Sequence, residues 1–408
     1  MDARTIGRVA LRTVVAMASV ATLIAVGLVW NLQHRLEVGR TTSTAAVPDA
    51  VPTPVGESFT ALLVGLDART DAAGDPLPQE LLDALHAGPD EGQLHTDTIM
   101  LLHVPAGGTA VAISIPRDSF VPIAGAHGTH KINSAYRRGK ARAEEALAAQ
   151  GIAGPELDRR GREAGRATLV ATVQDLTGVT VDHFAEINLA GFVELTEALG
   201  GVPVCLNQPV RDSYSGVDLP AGQQTVSGAG ALAFVRQRHG LDGGDLDRIA
   251  RQQAFAAGLA QRLTDAGTLS DPARLDRLVD VATRHVVLDS GWSIQDLPEQ
   301  LRRLAGDPLV FRTIPTGRPD MRTPTDGVAV EIDPRAVRDF VAAEIDAVEP
   351  GAGTDRISGD TGDPAEAPGR VAPTGSAAVP PPPAPTAPTT APTTAPPAIS
   401  TAGPSCVD

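Results

Sequence analysis

The sequence predicts an α/β domain with a mixed central β-sheet flanked by helices, preceded by a single membrane-crossing helix and followed by an unstructured tail. Three observations carry that reading. Compact apolar runs such as SFTALLVGLDA (58–68), TIMLLHV (98–104) and AVAISIP (110–116) have the length and composition of buried strands. Residues 141–176 and 248–265 carry helical spacing, and such segments alternate with the apolar runs. On both sides of 57–346 the chain turns to Thr, Pro and Ala: residues 41–56 suit a short extended spacer, and from about 348 onward the chain has too little apolar surface to offset the entropy of ordering.

In chain order, residues 1–12 carry Arg4, Arg8 and Arg12 ahead of TVVAMASVATLIAVGLVWN (13–31), an apolar stretch of the length a helix needs to cross a bilayer. A signal anchor over 13–32 is expected, with a cytoplasmic N-terminus and everything beyond it outside the membrane. A cleaved signal peptide fits less well, because the run exceeds a usual signal core and no small-x-small site closes it. Residues 33–56 read as a linker. Within 57–346, FAEINLAGFVELTEALGG (184–201) reads as a strand tip running into a helix ended by glycine, and VPVCL (202–206) returns as a strand. LVFRTIP (309–315) and AVRDFVAAEI (336–345) supply a last strand and helix, and residues 347–408 form the expected tail.

A formal net charge of −15 over 408 residues argues against a nucleic-acid partner, since tracking phosphates needs broad basic surfaces. Any concentration of cations is therefore local. FVRQRHGLDGGDLDRIARQQAF (234–255) is such a concentration, with Arg236, Arg238, Arg248 and Arg251. On a helix capped by Asp245 or Asp247, Arg248 and Gln252 extend the apolar stripe of Phe255, Ala256, Leu259 and Leu263, so they point inward. Arg236 and Arg238, read as one extended segment, share a strand face. Inward guanidinium groups near a helix N-terminus call for an anion.

Further charges sit where strands end: Asp67 and Arg69 in GLDAR, Asp97 in HTDT, Arg117 and Asp118 in IPRDS, Lys131 and Asn133 in HKINSAY. Ligands bind at strand ends in open α/β sheets, so these groups suggest one cleft. Convergent arginines with two aspartates suggest a pyrophosphate and a hard divalent cation, best Mg2+, against a plain Arg–Asp ion-pair network. The histidines lack zinc spacing, and no HExxH, GxSxG or Walker loop occurs.

In order, LLVGLDAR, HTDTIMLLHV, AISIPRDS, HKINSAY, GGVPVCL, DLPAGQQTVSGAGALAFVRQRH and GDLDRIARQQ resemble the motifs of the LytR-CpsA-Psr family, over about 60–346. The resemblance implies a membrane-anchored extracytoplasmic α/β domain. It also implies transfer of a phosphoglycopolymer from a polyprenyl-pyrophosphate carrier to peptidoglycan, assisted by Mg2+. Asp67 and Asp97 then correspond to the metal-binding aspartates, and Arg117, Arg236, Arg238, Arg248 and Gln252 to the pyrophosphate set, with Asp245 and Arg251 in the same motif. Catalysis is expected at Arg117, Asp118, Arg236, Arg238 and Asp245, and pyrophosphate binding at Arg69, Lys131, Arg248, Arg251 and Gln252. Asp118, Asp245 and Asp97 stay open as general base. An apolar tunnel for the polyprenyl chain is expected at Phe192, Leu195, Phe234, Phe255 and Leu259, with ordinary core as the other reading of each. Two positions depart from the family pattern, Thr96 and Ala68 standing where serine is common, and the segment between Arg69 and His95, with QELLDALHAGPDE, is long enough to alter the cleft rim.

A polyprenyl-pyrophosphate hydrolase or a non-catalytic polyprenyl-phosphate-binding regulator of the envelope remain alternatives. Cys205 and Cys406 are the only cysteines. On the oxidising side of a membrane they either pair, stay free, or bridge two molecules through Cys406.

Overall fold

The computed structural model describes residues 40–48, 52–349 apart from 55, 86, 88–93, 213, 238–244, 270, 294–299, 301–302 and 304–307, then 399–400 and 406–408, with isolated residues between 31 and 39. The expected anchor over 13–32 and most of the tail lie outside these residues. Among the described residues no helix is long and apolar enough to cross a membrane.

The chain runs β1 (Thr41–Ser43), β2 (Phe59–Asp67), α1 (Gln79–Ala84), β3 (His95–Val104), β4 (Ala110–Ser114), β5 (Ser119–Pro122), β6 (Thr129–Lys131), α2 (Ala135–Ala148), α3 (Pro155–Thr177) and β7 (His183–Asn188). It continues with α4 (Leu189–Ala198), β8 (Val202–Leu206), β9 (Val210–Asp212), β10 (Val217–Leu219), β11 (Gly222–Val226), α5 (Gly228–Arg236), α6 (Asp245–Thr264), α7 (Pro272–His285) and β12 (Val286–Asp289). Then come β13 (Leu309–Thr313), β14 (Met321–Thr323), β15 (Gly327–Glu331), α8 (Pro334–Val348), β16 (Ile399–Ser400) and β17 (Cys406–Val407).

Eight strands form the central sheet in the order β1-β12-β7-β2-β3-β4-β13-β16. It is mixed: β2 runs parallel to β7 and antiparallel to β3, and β4 runs antiparallel to β3 and parallel to β13. Alternate side chains of each strand take opposite faces. Ala61, Met100, Ala110 and Ala112 pack on one side with residues of α4, α5 and α6, among them Val193, Phe234 and Phe255. Leu62, Val64, Ile99, Val111 and Ile113 pack on the other with Leu169 and Val173 of α3 and Val337 and Val341 of α8. Both faces are covered, so these strands read as continuous apolar runs.

Helix α6 lies close on β8. A Cβ at Gly258 would sit 2.3 Å from the Pro203 carbonyl oxygen, so only glycine allows this approach. Gln253 fixes the same helix to the sheet, its buried amide donating to Ser114 Oγ at 3.0 Å, the Arg312 carbonyl at 2.9 Å and Thr313 Oγ1 at 2.9 Å.

Three expectations are corrected. The 33–56 segment is not a bare linker: β1 (Thr41–Ser43) pairs in parallel with β12 at the edge of the central sheet, and the Glu163 carboxylate accepts from Ser43 Oγ and from the Thr44 and Ala45 N–H groups. ALAFVRQR is not extended: α5 is helical through Arg236, because Ala231, Leu232, Phe234 and Val235 bury a helical face and Ser227 enters from a β conformation. The reading of 347–408 as wholly unstructured also fails at its far end. There β16 pairs with β13, β17 pairs with β8, and a disulfide joins Cys406 to Cys205.

Candidate active site

The site lies where β2 ends, β3 begins and β4 leaves the sheet. Because β2 and β3 are antiparallel, Asp67 stands opposite His95, which puts Asp97 two residues further along β3. The register shifts between Gly65 and Leu66, so Asp97 faces no residue of β2, and it lines the same cavity as His95. Arg117 and Asp118 lie between β4 and β5, and Lys131 ends β6.

Each carboxylate is already met by a cationic side chain. Arg236 Nη2 lies 3.2 Å from Asp67 Oδ1 and Arg69 Nη1 3.4 Å from Asp67 Oδ2. Arg117 Nη1 donates to Asp97 Oδ1 at 2.7 Å, and Lys131 Nζ is 3.1 Å from Asp118 Oδ1. The long segment after Arg69 braces these groups: Arg236 Nη1 donates to the Leu85 carbonyl at 3.3 Å, and Arg69 Nη2 to that of Ala87 at 2.7 Å.

The two aspartates differ electrostatically. Burial and the neighbouring Asp97 charge push the Asp67 carboxyl above the usual carboxylate range, more than Arg236 and Arg69 pull it down. Burial also presses upward on Asp97, but Arg117, Arg248 and Arg236 outweigh it and hold that carboxyl below its usual range. Burial pushes the His95 imidazole below its ordinary value, with Arg137 and Arg117 opposing the pull of Asp97. Asp67 and Asp97 are the carboxylates here whose oxygens could serve a hard divalent ion. Among the described residues no group of three His, Cys, Asp or Glu side chains is placed to hold a metal alone.

A cavity of about 350 Å³ opens on this cluster. Its lining is polar at Asp67, Arg69, Asp97, Arg117, Arg236, Arg248 and Gln252 and apolar at Leu189, Phe192, Leu232 and Val235. A second cavity of about 270 Å³ shares Asp67, Asp97 and Arg117 and adds His95, Asp118, Lys131 and Asn133. Arg248 is 2% exposed and reaches the cavity from the first turn of α6.

Not every expected residue converges here. Arg251 is 0% exposed on the core side of α6, stacked 5.5 Å over the Phe234 ring and donating to Gln237 Oε1 and the Asp408 main-chain oxygen. It stands three residues after Arg248, yet the tail returning over β8 claims it, and no sequence spacing announces that. Phe234 and Phe255 are core residues rather than cavity wall, Phe234 being fully buried; Phe255 touches the cavity only through Phe192, at a ring distance of 5.0 Å. Leu195 and Leu259 are partly buried and do not line the cavity, whereas Phe192 does. Arg238 lies outside the described residues, as does the side chain of Asp245.

His95, Asn188, Asp212 and Tyr214 line the cavities without having been expected. Weighing histidines only as zinc ligands hides His95; its place two residues before Asp97 in an apolar strand is the signal that finds it. Asn188 caps α4, accepting from Gly191 N at 2.7 Å, and its amide donates to the Thr70 carbonyl at 2.8 Å, which ties the end of β7 to the Asp67 loop.

The profile of the LytR_cpsA_psr family matches residues 33–318. The chain is 46% identical over 291 residues to the cell wall biosynthesis protein LcpA of Corynebacterium glutamicum, covering 71% of this chain and 56% of that protein. It is 30% identical over 215 residues to the polyisoprenyl-teichoic acid–peptidoglycan teichoic acid transferase TagU of Oceanobacillus iheyensis, covering 52% of this chain and 59% of the relative. The chain thus spans little more than half the length of these relatives. In fold it is similar to TagV of B. subtilis, with a TM-score of 0.51 at 22% identity over 71% of this chain and 98% of that structure. Motifs, fold and profile agree, and the chain belongs to the LytR_cpsA_psr family.

Proposed function

We propose that this protein is a cell-wall glycopolymer phosphotransferase that moves a glycan phosphate from a polyprenyl-pyrophosphate carrier to peptidoglycan. One observation carries the reading: a single cavity is lined both by four arginines and by a set of apolar side chains, which suits an amphiphile with a pyrophosphate head and a hydrocarbon tail. Arg69, Arg117, Arg236 and Arg248, with Gln252, bind the pyrophosphate, and Phe192, Leu189, Leu232 and Val235 take the first part of the lipid. The name of TagU, a teichoic acid transferase, supports the same class of chemistry, and that of LcpA supports a place in cell wall biosynthesis.

In the proposed step a hydroxyl oxygen of a peptidoglycan sugar attacks the glycan-proximal phosphorus. A new P–O bond forms, the P–O bond to the bridging oxygen breaks, polyprenyl phosphate leaves, and the hydroxyl proton passes to a nearby base or solvent. Guanidinium groups preorganised by Asp67, Asp97 and the Leu85 and Ala87 carbonyls neutralise charge developing on the phosphoryl and leaving oxygens. Asp67 and Asp97 would hold Mg2+, which when bound supplies further charge neutralisation at the phosphates. The apolar stretch over 13–32 would hold the domain at the outer membrane face, where the carrier lies.

The test is incubation with a short synthetic polyprenyl-pyrophosphate disaccharide and peptidoglycan oligomers, with and without Mg2+, followed by mass spectrometry. Disaccharide phosphate appears on peptidoglycan if the proposal holds. Free disaccharide phosphate alone would make the protein a hydrolase, and an unchanged donor would leave a binding role.

A further inference from the structure

Asp212 ends β9, and its side chain organises the turn into β10. Its Oδ1 accepts from Tyr214 N at 2.9 Å, its Oδ2 from Ser215 Oγ at 2.9 Å, and its main-chain oxygen from Gly216 N at 2.9 Å. Gly216 takes the left-handed conformation that closes the turn, at φ 79°. Asp212 is itself buried, so the turn has a fixed base.

This turn presents Tyr214 at the cavity that holds Asp67, Arg236 and Arg248, with 77% of the residue exposed. Aromatic residues make up only 3% of the chain, and the one other tyrosine, Tyr136, is fully buried. An aromatic residue on a turn held by three hydrogen bonds to one aspartate, at the arginine-lined cavity, is therefore placed for contact with something that enters there. The exposed Arg211–Asp218 pair beside it, at 2.6 Å, makes the surroundings costly for an acyl chain to cover and suits a hydroxylated ligand.

We propose that Tyr214 is a sugar-stacking platform at the cavity mouth, its ring packing against the C–H face of a pyranose. The proposal rests on the transferase reading and adds a glycan subsite to it. Two substrates bear such a ring, the carrier-linked glycan and the peptidoglycan acceptor, and their kinetics separate them.

Transfer by wild type, Tyr214→Ala and Tyr214→Phe is measured with donor and acceptor concentrations varied independently, alongside saturation-transfer NMR of the chain with an N-acetylglucosamine tetrasaccharide. Tyr214→Ala is expected to raise KM about tenfold for the substrate whose sugar stacks, with kcat changed less than twofold, and Tyr214→Phe to restore it. Unchanged KM values for both substrates in a Tyr214→Ala variant of normal thermal stability overturn the platform while leaving transfer intact. Loss of binding to anionic vesicles in place of either KM effect assigns the ring to the membrane and overturns it as well. If the wild type transfers nothing but its tetrasaccharide signal disappears in Tyr214→Ala, the transferase reading falls and the sugar site stands; no signal from an inactive wild type overturns both.

Discussion

Replacing Arg236 with alanine removes a guanidinium group that stands 3.2 Å from Asp67 and faces the cavity beside Arg248. On the proposed reading that group gives two charge-assisted hydrogen bonds to the phosphates, each worth about 1.5–3 kcal/mol, so kcat/KM is expected to fall by about 10² to 10⁴. Folding should barely suffer. The Arg236–Asp67 pair is partly exposed, and Asp67 can relieve the lost partner by taking up a proton, so the cost is about 1 kcal/mol or less. The sign of the pH effect follows. Asp67 already sits above the usual carboxylate range, and Arg236 is the leading group pulling it down. In the variant its pKa rises further, and any residual activity that needs ionised Asp67 loses its acid limb at higher pH than in wild type. Steady-state transfer kinetics across pH, with thermal melting of each protein, reads all three quantities. Activity within threefold of wild type, in a variant that melts normally, would refute the assignment of Arg236 to the phosphates.

Three more outcomes are expected. Mg2+ affinity, followed by titrating activity or by calorimetry, should weaken as pH falls from neutral, because the proton competes at Asp67 with its raised pKa well before it competes at Asp97; Asp97→Asn should abolish the metal response, and an unchanged titration removes it as a ligand. Phe192→Ala should impair long-chain carriers more than short ones, whereas Phe255→Ala should cost about 3–5 kcal/mol of stability with little chain-length preference; the reverse pattern would move the lipid wall to Phe255. Cys406→Ser should lower the melting temperature by several degrees, since the lost disulfide spans 201 residues and such a loop carries up to about 5 kcal/mol in the chain-entropy treatment; equal melting of oxidised wild type and the variant would count against it.

Much of the fold was legible because burial on both faces of β2, β3 and β4 forces uninterrupted apolar runs, and because charged residues immediately after such runs have few places to go but the sheet end. Asp67 and Arg117 stand out that way, Asp97 by standing just ahead of such a run, and Arg248 by extending the apolar stripe of its helix. What was missed depends on long-range contacts that leave no local pattern. Whether Arg251 turns to the cavity or the core is decided by Gln237 and by Asp408, 157 residues away. The extended reading of ALAFVRQR followed arginine spacing, whereas the packing of Phe234 and Val235 decides for a helix. Tyr214 carries no motif, and it enters the site only because β9 and β10 bring their turn to the cavity mouth.

The central claim is that this cavity turns a pyrophosphate diester into a new phosphodiester, and phosphorus NMR of the complete reaction tests it in one spectrum. With donor, Mg2+ and peptidoglycan oligomers, the two coupled pyrophosphate resonances should give way to one phosphodiester resonance on the oligomer and one phosphomonoester resonance of polyprenyl phosphate, in equal amounts. Two phosphomonoester resonances and no phosphodiester, or a pyrophosphate pair that persists with the folded protein, would contradict it.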